Sequence, residues 1–239
     1  MTAVLKRELR SYFTSPIAYV SIGILCALYG FQYWIVMLNG SSYYITSYVY
    51  QNMFMWSLML LPIITMRSMC EDRKNKTDQA LLTAPVSVTG IVWGKYLACL
   101  TVYLIAMLLC LVPALVIGIF SSPSWASIFG TFVGTILYGA AMLSIGVFIS
   151  SMTVSQVVSA IVTFIVSVLM LMINSLAGMV QLSFLANFMN WISFNTRYQA
   201  FTAGTFSISV VFLSVIAVFT FLTPVSSRAE DGAKGGTEQ

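Results

Sequence analysis

Ionisable side chains supply proton transfer, metal binding and ion pairing, and this chain has few of them: eleven basic and seven acidic residues among 239, with no histidine. Seven of these charges crowd into residues 67–78 as Arg67, Glu71, Asp72, Arg73, Lys74, Lys76 and Asp78. General acid–base catalysis needs a titrating group held at its target, and proton relays through a membrane need Asp, Glu or His inside it. Neither is expected here, because His is absent and no Asp or Glu lies inside an apolar run. No Gly-rich loop followed by Lys and Ser/Thr is present to cradle a phosphate, so nucleotide binding is not expected on this chain. The cysteines, Cys26, Cys70, Cys99 and Cys110, form no CxxC pair and have no His to complete a metal site, and they read as small apolar fillers. What remains for the charged cluster is ion pairing and docking.

The elements that must position this cluster are apolar. Residues 11–66 and 96–196 carry no charge at all, and 59% of the chain is hydrophobic. A soluble domain is about one quarter charged, against 8% here, so the composition predicts an integral membrane protein. The bilayer core takes about 20 apolar residues per helix. Six runs qualify: 17–38, 53–69, 91–120, 128–149, 154–174 and 206–222, the last being short for a span. They are apolar on all sides rather than alternating, which excludes a transmembrane barrel. The expected fold is an all-α integral membrane protein with six transmembrane helices over residues 17–223.

Orientation follows from Lys and Arg, which cytoplasmic loops retain. Lys6, Arg7 and Arg10 precede the first span, while Arg67, Arg73, Lys74, Lys76 and Lys95 lie between the second and third. Both segments are expected to be cytoplasmic. The opposite loops, 39–52 and 121–127, are uncharged, and the first carries Tyr43, Tyr44, Tyr48 and Tyr50, which suit the outer interface. Six spans return the C-terminus to the cytoplasm, and residues 224–239, rich in Gly, Ala, Ser and acidic side chains, are expected to be a flexible tail.

Each cytoplasmic segment has its own pattern. In residues 1–16, Leu5, Leu9, Tyr12 and Phe13 recur at helical spacing with Ile17, while Lys6, Arg7, Glu8 and Arg10 occupy the other sides. This is an interfacial helix, with Pro16 at the bend into the first span. In residues 67–90 the mixed charges are followed by the apolar pair Leu81 and Leu82, and Ala84 and Pro85 close a short amphipathic helix. Residues 175–205, with Asn187, Asn190, Asn195, Arg197 and Gln199, are too polar for one span and are expected outside. Asn195 and Arg197 are a possible outer gate or contact for an outer-face accessory protein; a snorkelling interfacial Arg is the plainer reading. Gly130 and Gly134 allow close helix approach, with internal packing favoured over a dimer seam. Pro62 and Pro113 should kink the second and third helices.

In three places, KRELRSYFTSPIAYV at 6–20, the charged loop at 66–95, and FNTRYQAFTAG at 194–204, the chain resembles the permease subunits of ABC-2 type exporters, in particular a bacterial gliding-motility group. Glu71, Thr77, Leu81, Leu82, Thr83, Pro85 and Lys95 fall where that family places Glu, Thr, Leu-Leu-Thr, Pro and Lys. Lys76 departs from it, standing where members often have Gly before the Thr, and the tail lacks their basic residues.

The resemblance implies a cytoplasmic elbow helix containing Lys6, Arg7, Glu8 and Arg10, and a coupling helix containing Glu71, Asp72, Arg73, Thr77, Leu81, Leu82, Thr83 and Pro85. It further implies two ATP-binding subunits, a second permease copy or homologue, and a bacterial inner-membrane location. ATP and Mg would sit on the ATPase partner, with no cofactor on this chain, and Glu71 would pair with a basic residue of that partner. Membrane lipid is the surrounding partner; nucleic acid is not expected. The intramembrane polar groups select no particular substrate. Three function classes stay open: an export permease, a membrane anchor for an ATP-driven envelope or gliding apparatus, and a facilitator or channel without an ATPase.

Overall fold

The computed structural model describes residues 2–38, 49, 51–75, 87–120, 125–179 and 208–235. The described residues hold eight α-helices and no strand. These are α1 (Thr2–Thr14), α2 (Pro16–Leu38), α3 (Gln51–Thr65), α4 (Cys70–Lys74), α5 (Val88–Phe120), α6 (Trp125–Met152), α7 (Gln156–Met179) and α8 (Ile208–Gly235).

The boundary between α1 and α2 falls where the sequence places it. Pro16 opens α2, a position where its missing N–H costs no helical bond, and the Ile17 N–H reaches the Ser15 hydroxyl at 3.5 Å. Among the described residues, four segments are long and apolar enough to cross a membrane: Pro16–Leu38, Val88–Ile119, Ile128–Met152 and Gln156–Ile173. Helix α3 is apolar but has only 15 residues, and α8 carries a shorter apolar stretch, Ser214–Ser227.

Several boundaries differ from expectation: α7 runs on to Met179, into the 175–205 segment expected outside, and two other differences are larger in consequence. The second apolar run extends to 69, yet α3 stops at Thr65 and residues 66–69 form a turn. There Met66 N–H still reaches the Pro62 carbonyl at 2.9 Å, while Ser68 N–H closes a tighter bond to Thr65 at 3.1 Å. The flexible tail expected from 224 is instead helical through Gly235. Ala229, Glu230, Ala233 and Lys234 are good helix formers, and continuing an established helix avoids the cost of nucleation.

Helix α6 is the centre of the bundle and packs against α3, α5, α7 and α8. Most of it is buried, whereas only a small part of the apolar window of α7 is buried. Small residues permit this close packing. A Cβ on Gly139 would overlap the Tyr103 ring of α5, and one on Gly146 would come within 2.8 Å of Thr65 Cβ on α3. Gly130 and Gly134 are also buried inside the chain. Pro62 and Pro113 lie inside α3 and α5.

Candidate functional site

Helix α1 docks along α5 through a stripe one helical turn apart: Val4, Glu8 and Tyr12 are its buried residues. Gly94 makes room for the first of them. A Cβ there would sit 3.0 Å from Val4 Cγ1 and 3.4 Å from the Leu5 backbone nitrogen, so α1 rests directly on the α5 backbone. One turn along, Glu8 faces Lys95. A further turn along, the Tyr12 hydroxyl donates to the Ile64 carbonyl at 2.9 Å and lies 3.3 Å from Cys99 Sγ. The Ile64 carbonyl belongs to the last turn of α3, where carbonyls lack helical partners. Burial pushes the Tyr12 phenol well above its ordinary range, so it stays a donor.

Lys95 lies at the centre of the junction. Only 3% of it is exposed, and Glu8 is 8% exposed. Its ammonium donates to the Ser68 carbonyl at 2.8 Å and to Glu8 Oε1 at 3.2 Å, and it is ion-paired with Asp72 Oδ2. Arg7 spans the rim, with Nη2 3.2 Å from Glu8 Oε1 and 3.3 Å from Asp72 Oδ1. Arg67 grips Glu71 through both Nε and Nη2, the latter at 2.9 Å, and reaches the Ser11 hydroxyl at 3.3 Å. That bidentate hold raises the Arg67 guanidinium further above its usual value. The six side chains comprise three cations and three carboxylates, so the cluster is neutral as a whole, the condition under which buried charge is tolerated.

Helix α4 is capped from outside its own segment. Met69, at its N-cap, offers no side-chain bond. Instead the N–H groups of Met69 and Cys70 both donate to Ser150 Oγ of α6, at 3.0 and 3.2 Å. A hydroxyl accepting from the first amides of a helix is the usual N-cap chemistry, delivered here from 80 residues away. Cys70 Sγ lies 3.2 Å from the Ser150 carbonyl and 3.1 Å from Thr153 Oγ1, filling the space beneath the cap.

The sequence-predicted residues divide accordingly. Lys6, Arg7, Arg10 and Arg73 are exposed, and Glu71 and Asp72 are half-buried in the junction. Glu8, read as part of the polar side of α1, is buried. Thr77, Leu81, Leu82, Thr83, Pro85, Asn195 and Arg197 lie outside the described residues. Lys95, matched to the family pattern but given no site role, and Arg67, Ser150 and Ser11 were not among the predicted site residues. The available signal for Lys95 was a lone charge at the start of a 33-residue apolar helix, which demands an opposite charge nearby. Ser150 carried no such signal. Among the described residues no group of three or more His, Cys, Asp or Glu side chains could hold a metal ion.

Long apolar helices around a buried small-residue seam, with a neutral ion cluster tying two short helices to one of them, define a polytopic helical membrane protein. Residues 27–224 match the family described as ABC-2 family transporter protein, and the chain belongs to that family. It is a permease subunit of an ABC transporter, a transport subunit generally not catalytic itself, of a family that normally works with an ATP-binding subunit. No curated protein matches the chain.

Proposed function

We propose that the chain is the export permease of an ABC machine in the bacterial inner membrane, with α4 and the following 76–86 segment forming the surface that receives a separate ATP-binding subunit. In this reading six spans cross the membrane: α2, α3, α5, α6, α7 and the apolar part of α8. Helix α1 is the cytoplasmic elbow, both termini are cytoplasmic, and Asn195 and Arg197 lie on the outer side. Two ATPase copies and a second permease copy or homologue complete the machine, with ATP and Mg on the ATPase. The Leu81 and Leu82 pair supplies an apolar anchor, and the charges of 71–78 supply orientation, as in interfaces built from a few anchors with a polar rim.

The observation that carries this reading is the joining of α4 to α1 and α5 by ion pairs, and to α6 by the Ser150 cap. A load applied to α4 therefore reaches several helices at once, as a rigid-body stroke requires. Free charged loops that only set orientation need Lys and Arg alone; the carboxylates of Glu71 and Asp72 have structural work that this account explains. The test is a double substitution, Glu71→Ala with Leu82→Ala. Membrane insertion should be unchanged and capture of the ATP-binding subunit lost. Undiminished capture would overturn the reading.

A further inference from the structure

We propose that Lys95 is a positioning residue for transport: its buried ammonium registers the elbow helix α1 against the coupling helix α4, and only with that register set does α4 present a defined surface. The positioning of α4 for a partner rests on the export reading above; the register itself does not.

An ammonium has three N–H donors and no acceptor. Lys95 has an acceptor for each in a different segment: Glu8 of α1, the Ser68 carbonyl in the turn after α3, and Asp72 of α4. With its own helix α5, four segments meet at one nitrogen. Nothing in the sequence joins them, since Glu8 and Lys95 are 87 residues apart. The approach is enforced from below by the Val4 contact on Gly94, where a Cβ would already crowd Val4 at 3.0 Å. A buried charge in such a place is a register device rather than a source of net stability, because replacing a buried ion cluster by apolar groups is often neutral while removing one member is not.

The junction also has space to open. A cavity of about 190 Å³ lies beside the cluster, walled by Arg7, Ser11, Arg67, Asn75 and Lys95 among others. That volume with polar walls accommodates several waters, so Asp72 can withdraw from Lys95 with water taking its place. Glu8 and the Ser68 carbonyl would stay bound, and α4 would swing relative to an α1–α5 unit that remains whole.

The test uses the full-length chain in lipid nanodiscs. Spin labels are placed at the exposed positions Lys6→Cys and Lys74→Cys in a Cys26→Ala background, and the distance distribution between them is measured by pulsed EPR. One narrow population is expected for the otherwise unaltered chain. Lys95→Met, close in length but uncharged, should broaden or split it, because no ammonium then joins Glu8 of α1 to Asp72 of α4. Adding Glu8→Gln, which removes the excess carboxylate, should restore thermal stability but not the narrow distance, because no ammonium then joins α1 to α4. An unchanged distribution in Lys95→Met would overturn the proposal. So would a double variant that regains the narrow distribution, since charge balance rather than the ammonium would then set the register. In co-purification with the ATP-binding subunit, Lys95→Met should weaken capture roughly tenfold or more, without recovery in the double variant. If the unaltered chain captures no ATP-binding subunit, the export reading fails, while the EPR result still decides the register.

Discussion

The ion cluster joining α1, α4 and α5 and the small-residue seam along α6 both bring helices into close contact, by opposite means. Along α6, Gly139 and Gly146 let Tyr103 and Thr65 press against the helix backbone. That contact is dispersive, short-ranged and has one good geometry. At the junction, α1 and α4 are held by Lys95, Arg7, Glu8 and Asp72, whose attraction falls off slowly with distance and can be replaced by water. The first kind of contact makes a rigid frame; the second makes a joint that is specific when closed and can open. A transporter needs both, because a stroke delivered to a wholly rigid body moves nothing within it, and one delivered to a loose loop is lost.

Substitutions separate the two regions. Lys95→Ala should be the most damaging, costing about 3–5 kcal/mol because it removes the buried cation that Glu8 and Asp72 share; thermal unfolding in detergent would show it, with recovery on adding Glu8→Gln. Gly139→Val should cost about 1–3 kcal/mol through overpacking against Tyr103, and no charge substitution should rescue it. Rescue by charge in the first case and its failure in the second are the contrast to look for. Ser150→Ala removes the remote cap of α4 and should cost about 1 kcal/mol, seen more clearly as faster amide exchange at Met69 and Cys70 than as a shift in unfolding.

The smallest effect belongs to Tyr12→Phe, about 0.5–1.5 kcal/mol for one hydrogen bond to the Ile64 carbonyl. Its pH dependence has a definite sign. Burial raises the folded-state pKa of Tyr12 above the ordinary 10.0, so its contribution is complete below about pH 10 and declines as pH rises beyond that. Exchange protection of α1 should be flat from neutral pH to about pH 9 in the unaltered chain. In Tyr12→Phe the loss above pH 10 should be reduced.

The helices were legible because lipid imposes length and uniform apolarity. The first run, 17–38, is α2 to within one residue, and 91–120 and 128–149 fall inside α5 and α6. Arg67 and Glu71 were legible in principle as an i,i+4 pair, although Glu71 was expected to wait for a partner subunit rather than be held by Arg67. The buried role of Glu8 was not legible. Its neighbours Lys6, Arg7 and Arg10 are exposed, so periodicity put it with them, and only the packing of α1 on Gly94 turns the Val4–Glu8–Tyr12 stripe inward. The Ser150 cap was hidden for a related reason: serine is common in apolar helices, and its acceptor role exists only once α6 and α4 meet. The helical tail after Pro224 was obscured because composition signals low burial, not absence of helix.

The most direct measurement is affinity purification of the chain from its native membranes in mild detergent, with mass spectrometry quantifying stoichiometric co-purifying proteins, done in parallel on Glu71→Ala/Leu82→Ala. An ABC ATP-binding subunit is expected at a ratio of about one per permease, absent from the variant while the variant itself is recovered in full. Recovery of the unaltered chain alone, at equal detergent stability, would contradict it and leave the charged segment as an orientation signal.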